Sequence, residues 1–286
     1  MKKIAVIDIG SNSVRLMFVA DGKVLYKTLE ITRLGEGLAS SGRLSPVAIE
    51  RSAQAVAVFS SKAKAEGAQA VYAFATAAVR SAQNGGEFVC RVAELCPVQV
   101  EVISGEEEAE IGILGALGTK DGGIIDIGGA STEIIVRKGG AITYKKSVDV
   151  GVVRLNDLCG RNVDSLTEYA NKEVEQFAGV TPTSMYAIGG TATSVASIAL
   201  GLKEYDGKLV DGFVLTLETL EKVVRYLTET QPQAVAEQTC VPLKRAEVLL
   251  GGAIWLYTIL EKLGLNSLSV SDADNLEGYA VKRGLL

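Results

Sequence analysis

The chain contains no histidine. That absence removes Ser-His-Asp and Cys-His nucleophile systems, phosphohistidine chemistry and histidine-ligated metals. Acid–base work must fall to carboxylates, Lys, Tyr or Cys. Any metal must be held by oxygen, which favours Mg2+, with Mn2+ as the alternative, over Zn2+. Cysteine is sparse: Cys90, Cys96, Cys159 and Cys240 form no CxxC pair and no zinc spacing, so they read as reduced, buried thiols of a cytoplasmic protein. No apolar run reaches the roughly 20 residues of a membrane span. The longest, Val248–Leu260, has 13 residues and two glycines. At the N-terminus Asp8 breaks the apolar run after four residues, too early for a signal peptide. A basic excess is missing too: 29 Lys and Arg face 34 Asp and Glu, which argues against a general nucleic-acid or anionic-membrane binder. There is no GxxxxGK(S/T) loop; Gly118-Thr119-Lys120 is only a fragment of one.

What remains is a globular composition, 48% hydrophobic and 22% charged over 286 residues, long enough for two domains. Residues 3–9, 14–20 and 23–32 read as three consecutive strands joined by glycine turns. Ser45-Pro46 opens a helix that runs to Gly67. A short strand at 70–76, a helix around 85–95, a strand at 97–104 and a helix at 106–118 complete an α/β layout. The second half then starts over. Shifted by 118 residues, Ile7-Asp8-Ile9-Gly10 falls on Ile125-Asp126-Ile127-Gly128, Ser13 on Ser131, Gly22 on Gly140 and Tyr26-Lys27 on Tyr144-Lys145. Eight of the 21 positions from 7 to 27 are identical, where chance gives about one, so the unit is duplicated. A helix at 165–177, a strand at 184–190, helices at 216–230 and 245–263, a strand at 267–272 and a last helix follow. Two similar domains usually place matching turns across a shared cleft.

Each repeated turn is a strand ending in Asp, then Gly, small residues and Ser, then another strand. Such a tip exposes backbone N–H groups that converge on a phosphate oxygen. Ser13, Ser131 and Thr132 add hydroxyl donors, and Asp8 and Asp126 sit where they could hold a hydrated Mg2+ between them. A third small-residue turn, Gly189-Gly190-Thr191, opens a helix whose N–H groups suit an anion.

With RLGEGL (33–38), ATAAVRSAQN (75–84) and VISGEEEA (102–109) between the paired turns, the chain resembles the actin-like ATPase superfamily. Within it the resemblance is to the exopolyphosphatase and guanosine pentaphosphate phosphohydrolase family, from Lys3 to about Gly278. The resemblance implies two duplicated ribonuclease H-like domains, residues 1–119 and 120–273, with mixed sheets flanked by helices around an interdomain cleft. It implies a C-terminal helix, 274–286, packing back on the first domain. The activity implied is Mg2+-dependent hydrolysis of a terminal phosphoanhydride on polyphosphate or pppGpp. Carried over residue by residue, Glu108 is the catalytic carboxylate that takes a proton from water, and Arg80 an arginine near the phosphates. Gly10, Ser11, Asn12, Ser13 and Arg15 match the first phosphate loop and Gly128, Gly129, Ala130, Ser131 and Thr132 the second, with Asp8, Asp126 and Glu133 toward the metal. The expected partners are a small-molecule or short polyanionic substrate, no nucleic acid and no membrane, with a homodimer left open.

The chain departs from the family pattern in three places. Ala130 stands for a third glycine, which costs about 1 kcal/mol if that position needs positive φ. Leu276 replaces an arginine, removing a charge with a bearing on substrate. Asp211-Gly212 stands for His-Gly. Two alternatives stay open: a catalytically weakened phosphate or nucleotide sensor, and a small-molecule kinase on the same fold.

Overall fold

Lys3–Ile9 and Gly122–Ile127 are almost wholly buried, which makes them central strands covered on both faces. The computed structural model describes residues 2–181 and 184–286. In it β1 (Lys3–Ile9), β2 (Ser13–Ala20), β3 (Lys23–Ile31), β4 (Ala70–Ala75) and β5 (Val100–Val102) form one sheet in the order β3-β2-β1-β4-β5. The second sheet holds β6 (Gly122–Ile127), β7 (Thr132–Lys138), β8 (Ala141–Val148), β9 (Met185–Ile188), β10 (Val214–Thr216) and β11 (Ser267–Val270), ordered β10-β11-β9-β6-β7-β8. Each lobe runs three antiparallel strands and then adds parallel ones, β4 beside β1 and β9 beside β6. The register irregularity between Phe18 and Val19 recurs between Val136 and Arg137, at the same 118-residue offset. The duplication thus extends to the backbone.

Helix Pro46–Ala65 starts where Ser45 accepts the Ala48 N–H at 3.2 Å, and it buries Ala53, Val56 and Phe59 on the outer face of the first sheet. In the second lobe helix Leu243–Lys262 carries Trp255 into the main core. Two helices lie between the sheets. Gly105–Leu117, opened by a capping box of Ser104 and Glu107, packs Ala109, Ile113 and Leu117 against Ile124, Ile135 and Ile188 of the second sheet. Asn275–Lys282 lays Leu276, Tyr279 and Ala280 on Ile4, Val6, Met17 and Phe74 of the first. These helices touch backbone to backbone. A β-carbon on Gly278 would lie 1.7 Å from the Ile111 carbonyl oxygen, and one on Gly115 1.9 Å from that of Asp274. No helix among the described residues is long and apolar enough to cross a membrane.

Two elements differ from the sequence reading. The strand expected over 97–104 shrinks to Val100–Val102, because Pro97 has no N–H to donate and Ser104 is taken as a helix cap. The helix expected from Ser165 starts at Val163, because Asn162 accepts the Ser165 N–H at 2.8 Å, and it ends in a 3-10 turn, Val174–Phe177.

Candidate active site

Side chains alternate along a strand, so Asp8 shares a face with Ile4 and Val6, and Asp126 with Ile124. Both carboxylates therefore end the inner faces of their sheets, at the cleft. Just beyond them the two turns close identically: the Gly10 N–H donates to the Ser13 carbonyl, and the Gly128 N–H to that of Ser131, each at 3.0 Å. The carbonyls of both tips are used behind the cleft. Ser11 and Asn12 accept from Gly35, Thr32 and Arg33 at 2.8–3.1 Å, while Gly128 and Gly129 accept from Val152, Val153 and Arg154 at 2.8–3.2 Å. Among the described residues, the N–H groups of Ser11, Asn12, Gly129 and Ala130 find no acceptor, which leaves them for an anion. The tips also touch. A β-carbon on Gly129 would lie 2.6 Å from that of Ser11 and 2.9 Å from the Asn12 nitrogen, so this position has room for hydrogen only. The RLGEGL segment bolts one side of the cleft. Arg33 pairs with Glu247 and bonds the Lys244 carbonyl at 2.7 Å, and the Gly37 N–H donates to Asp157 at 2.8 Å.

Glu108 enters from the first turn of helix Gly105–Leu117 and is buried. Arg80 donates to its Oε2 at 2.9 Å and to the Ile103 carbonyl at 2.9 Å. Burial pushes the Glu108 carboxyl up to about 7, against the pull of Arg80 and with repulsion from Asp8 adding to it. Burial also raises Asp126 to about 7, helped by Glu108 and Asp274 and opposed by Arg15 and an Asn275 hydrogen bond of 2.8 Å. Glu133 is raised by burial and by the charges of Glu108 and Asp126. Asp8 is raised by burial, with Arg15 opposing.

The cleft brings together Asp8, Gly10, Ser11, Asn12, Ser13, Arg15, Glu108, Asp126, Gly128, Gly129, Ala130, Ser131, Gly189, Gly190 and Thr191. The Thr191 hydroxyl donates to the Ile127 carbonyl at 2.9 Å, so its proton is already committed. Thr132 is not in the cleft. As the first residue of β7 it points into the core, where its hydroxyl donates to the Val150 carbonyl and accepts the Trp255 indole N–H at 2.9 Å. Arg80 stands behind Glu108 and does not line the cleft, and Glu133 lies beneath it, accepting from Ser147 at 2.6 Å. Ala130 has no positive φ, so alanine carries no backbone penalty there. Leu276 is packed in the core of the first lobe, so an arginine's absence at that position takes no charge from the cleft. Thr76, Arg245, Asn275 and Asp274 are the residues that sequence reading missed. Thr76, Arg245 and Asn275 line the cleft, and Asp274 pairs with Arg15. Arg245, on helix Leu243–Lys262, meets no carboxylate among the described residues, and burial, then the nearby Arg15, lowers its pKa to about 10.

Among the described residues no three carboxylates converge as a ready-made metal cage. Yet Asp8 Oδ1, Asn12 Oδ1, Glu133 Oε2 and Asn275 Oδ1 are buried oxygens without a hydrogen-bond partner. Unpartnered oxygens beside crowded carboxylates fit a hard cation that keeps most of its water, as Mg2+ does.

Two ribonuclease H-like lobes duplicated about a cleft, with paired turns whose tip N–H groups are free, define a protein of the actin-like ATPase type. Residues 15–285 match the Ppx/GppA phosphatase family. The chain is 28% identical to exopolyphosphatase 2 of Mycobacterium tuberculosis, over 98% of each chain. It is 28% identical to the guanosine-5'-triphosphate,3'-diphosphate pyrophosphatase of Photobacterium profundum, covering 99% of this chain and 58% of that one. Among solved structures, an exopolyphosphatase-like protein superposes with a TM-score of 0.91 at 26% identity, covering 99% of this chain and 100% of that one. The Ppx/GppA family member of Aquifex aeolicus gives 0.79 at 29% identity, covering 99% and 98%. The chain belongs to the Ppx/GppA phosphatase family, and with that family it is a hydrolase.

Proposed function

We propose that the protein releases the terminal phosphate of inorganic polyphosphate or of pppGpp, with Glu108 as the general base. The observation that carries this reading is the buried Glu108 carboxylate, raised to about 7 and held by Arg80, beside two turns whose N–H groups are free for an anion. A base with a pKa near 7 is half ionised at neutral pH and still strong enough to accept a proton. The N–H groups of Ser11, Asn12, Gly129 and Ala130 hold the terminal phosphate. Water attacks its phosphorus in line, the bond to the bridging oxygen breaks, and the proton passes to Glu108. Arg80 positions Glu108 rather than touching the substrate. Asp8 and Asp126, with Glu133 beneath, are the residues for Mg2+, which when bound would neutralise charge on the transferring group. With a sequence pI of about 5.1, the surface offers a long polyanion little to run along, which favours short polyphosphate or pppGpp.

Phosphate release from polyphosphate and from pppGpp, with Mg2+, tests the reading in wild type and Glu108→Ala. A fall of about 100-fold or more is expected for the variant; equal rates would remove Glu108 as the base. One observation favours a sensor instead. The tips are in contact and Arg15 is already neutralised, so tight nucleotide binding without turnover would point there.

A further inference from the structure

Two arginines, Arg15 and Arg245, line the cleft and a third, Arg80, stands behind Glu108, and their charges are spent differently. Arg80 is paired with Glu108, and Arg245 meets no carboxylate among the described residues. Arg15 is paired twice, with Asp8 and with Asp274. Asp8 is its cross-strand neighbour in the β1–β2 register and would be counter-ion enough. Asp274 arrives from 259 residues further along the chain, as the cap of helix Asn275–Lys282. It is not free to swing away. Its Oδ1 accepts the Leu276 N–H at 3.0 Å, its own N–H donates to Glu277 at 3.0 Å, and its carbonyl is pressed against Gly115. The carboxylate is a fixed, buried anion on Arg15, which among the described residues is the one cationic side chain that a domain-one strand presents to the cleft.

We propose that Asp274 is a specificity-determining residue: it occupies Arg15 as an internal counter-ion, so the cleft selects against phosphate chains of high charge. This rests on the phosphohydrolase reading. A chain entering the cleft faces Asp8, Glu108 and Asp126, with Asp274 fixed behind Arg15, and among the described residues lining the cleft Arg245 is the one arginine without a carboxylate partner. Each further phosphate adds repulsion that Arg15 cannot offset, and burial keeps salt from screening it.

The test is calorimetric binding of phosphate, pyrophosphate and tripolyphosphate at one fixed Mg2+ concentration. The proteins are Glu108→Gln, which leaves the ligand intact, and Glu108→Gln with Asp274→Asn. Asparagine caps a helix as well as aspartate does, so the substitution removes charge and keeps the cap. If the melting curve shows that it fails to fold, Asp274→Ser is read instead. Tripolyphosphate should bind about tenfold tighter to the double variant, with pyrophosphate gaining less and phosphate least. Equal affinities in the two proteins, or the same gain for all three anions, would overturn the role of Asp274 and leave the phosphohydrolase reading in place. If neither protein binds any of the three, both fall together.

Discussion

Glu108→Gln exchanges one oxygen for an amide and removes a negative charge that the fold holds at a cost. The residue is 6% exposed, and its pKa is raised from 4.5 to about 7 by burial, net of the attraction of Arg80. A rise of about 2.5 pH units at about 1.36 kcal/mol each amounts to about 3 kcal/mol. The sign follows from proton binding. The folded pKa lies above the unfolded one, so the folded state holds the extra proton between pH 4.5 and about 7. Stability falls as pH rises through that window. Above it the full penalty applies, and below it none does. Glutamine removes the penalty, and it also relieves Asp126 and Glu133, which Glu108 pushes upward. The variant leaves Arg80 without its carboxylate, but that guanidinium is a quarter exposed and keeps the Ile103 carbonyl. At pH 8.5, in a chelator so that no divalent cation relieves the repulsion, the variant should melt about 6–12 °C above wild type. At pH 4.5 the two should coincide. Phosphate release should meanwhile drop about 100-fold or more. A melting difference that is absent, or the same at both pH values, would refute the claim that the base is held against its own ionisation.

Gly278→Ala sets a β-carbon 1.7 Å from the Ile111 carbonyl oxygen, so the C-terminal helix must lift. Urea denaturation should show a loss of about 1–3 kcal/mol, and activity should fall because that helix carries Asp274 and Asn275. Ala130→Gly should leave the rate of phosphate release unchanged and stability lower by at most about 1 kcal/mol, since Ala130 already sits at ordinary φ. Leu276→Arg, although it restores the letter the family pattern carries, should destabilise by several kcal/mol in denaturant titration. It buries a cation against Phe74 and Tyr279, so it should restore no activity.

The duplicated turns were legible because the repeat lies in contiguous residues and in strand parity. Asp8 and Asp126 follow apolar neighbours at spacing two, and that alone puts them on one face. Thr132 was misread through the same parity. One residue after Ser131 the chain is already β7, and its side chain goes to the core, toward Val150 and Trp255. Leu276 carried its own warning, because Leu276, Tyr279 and Ala280 stand at i, i+3 and i+4, an apolar stripe that a helix must bury. The counter-ions were beyond reach of any local pattern. Arg15 meets Asp274, and Asp126 meets Asn275, across separations of 259 and 149 residues. Arg245 stands in no motif that marks it. Only the packing of the last helix between the sheets brings Asp274 and Asn275 to the cleft.

The duplication also explains why the two halves of the cleft are unlike in charge. Asp8 pairs in register with Arg15, and Asp126, at the same offset, pairs in register with Glu133. One register position therefore holds a cation in the first lobe and an anion in the second. The first lobe's aspartate has a partner within its own hairpin, and its Arg15 is matched again by Asp274. The second lobe's aspartate has a second acid as its cross-strand neighbour, and what offsets it comes from outside its hairpin, the charge of Arg15 and the amide of Asn275. Burial first, and then the nearby charge of Glu108, pushes both of its acids toward the protonated form. The backbone donors of the two turns stay symmetric, because they depend on turn geometry and not on that position. The carboxylate without a cationic cross-strand partner thus falls on the second lobe, while the free N–H donors are shared by both. The duplicated scaffold is therefore even in its free N–H donors and uneven in the cross-strand partners of its two aspartates.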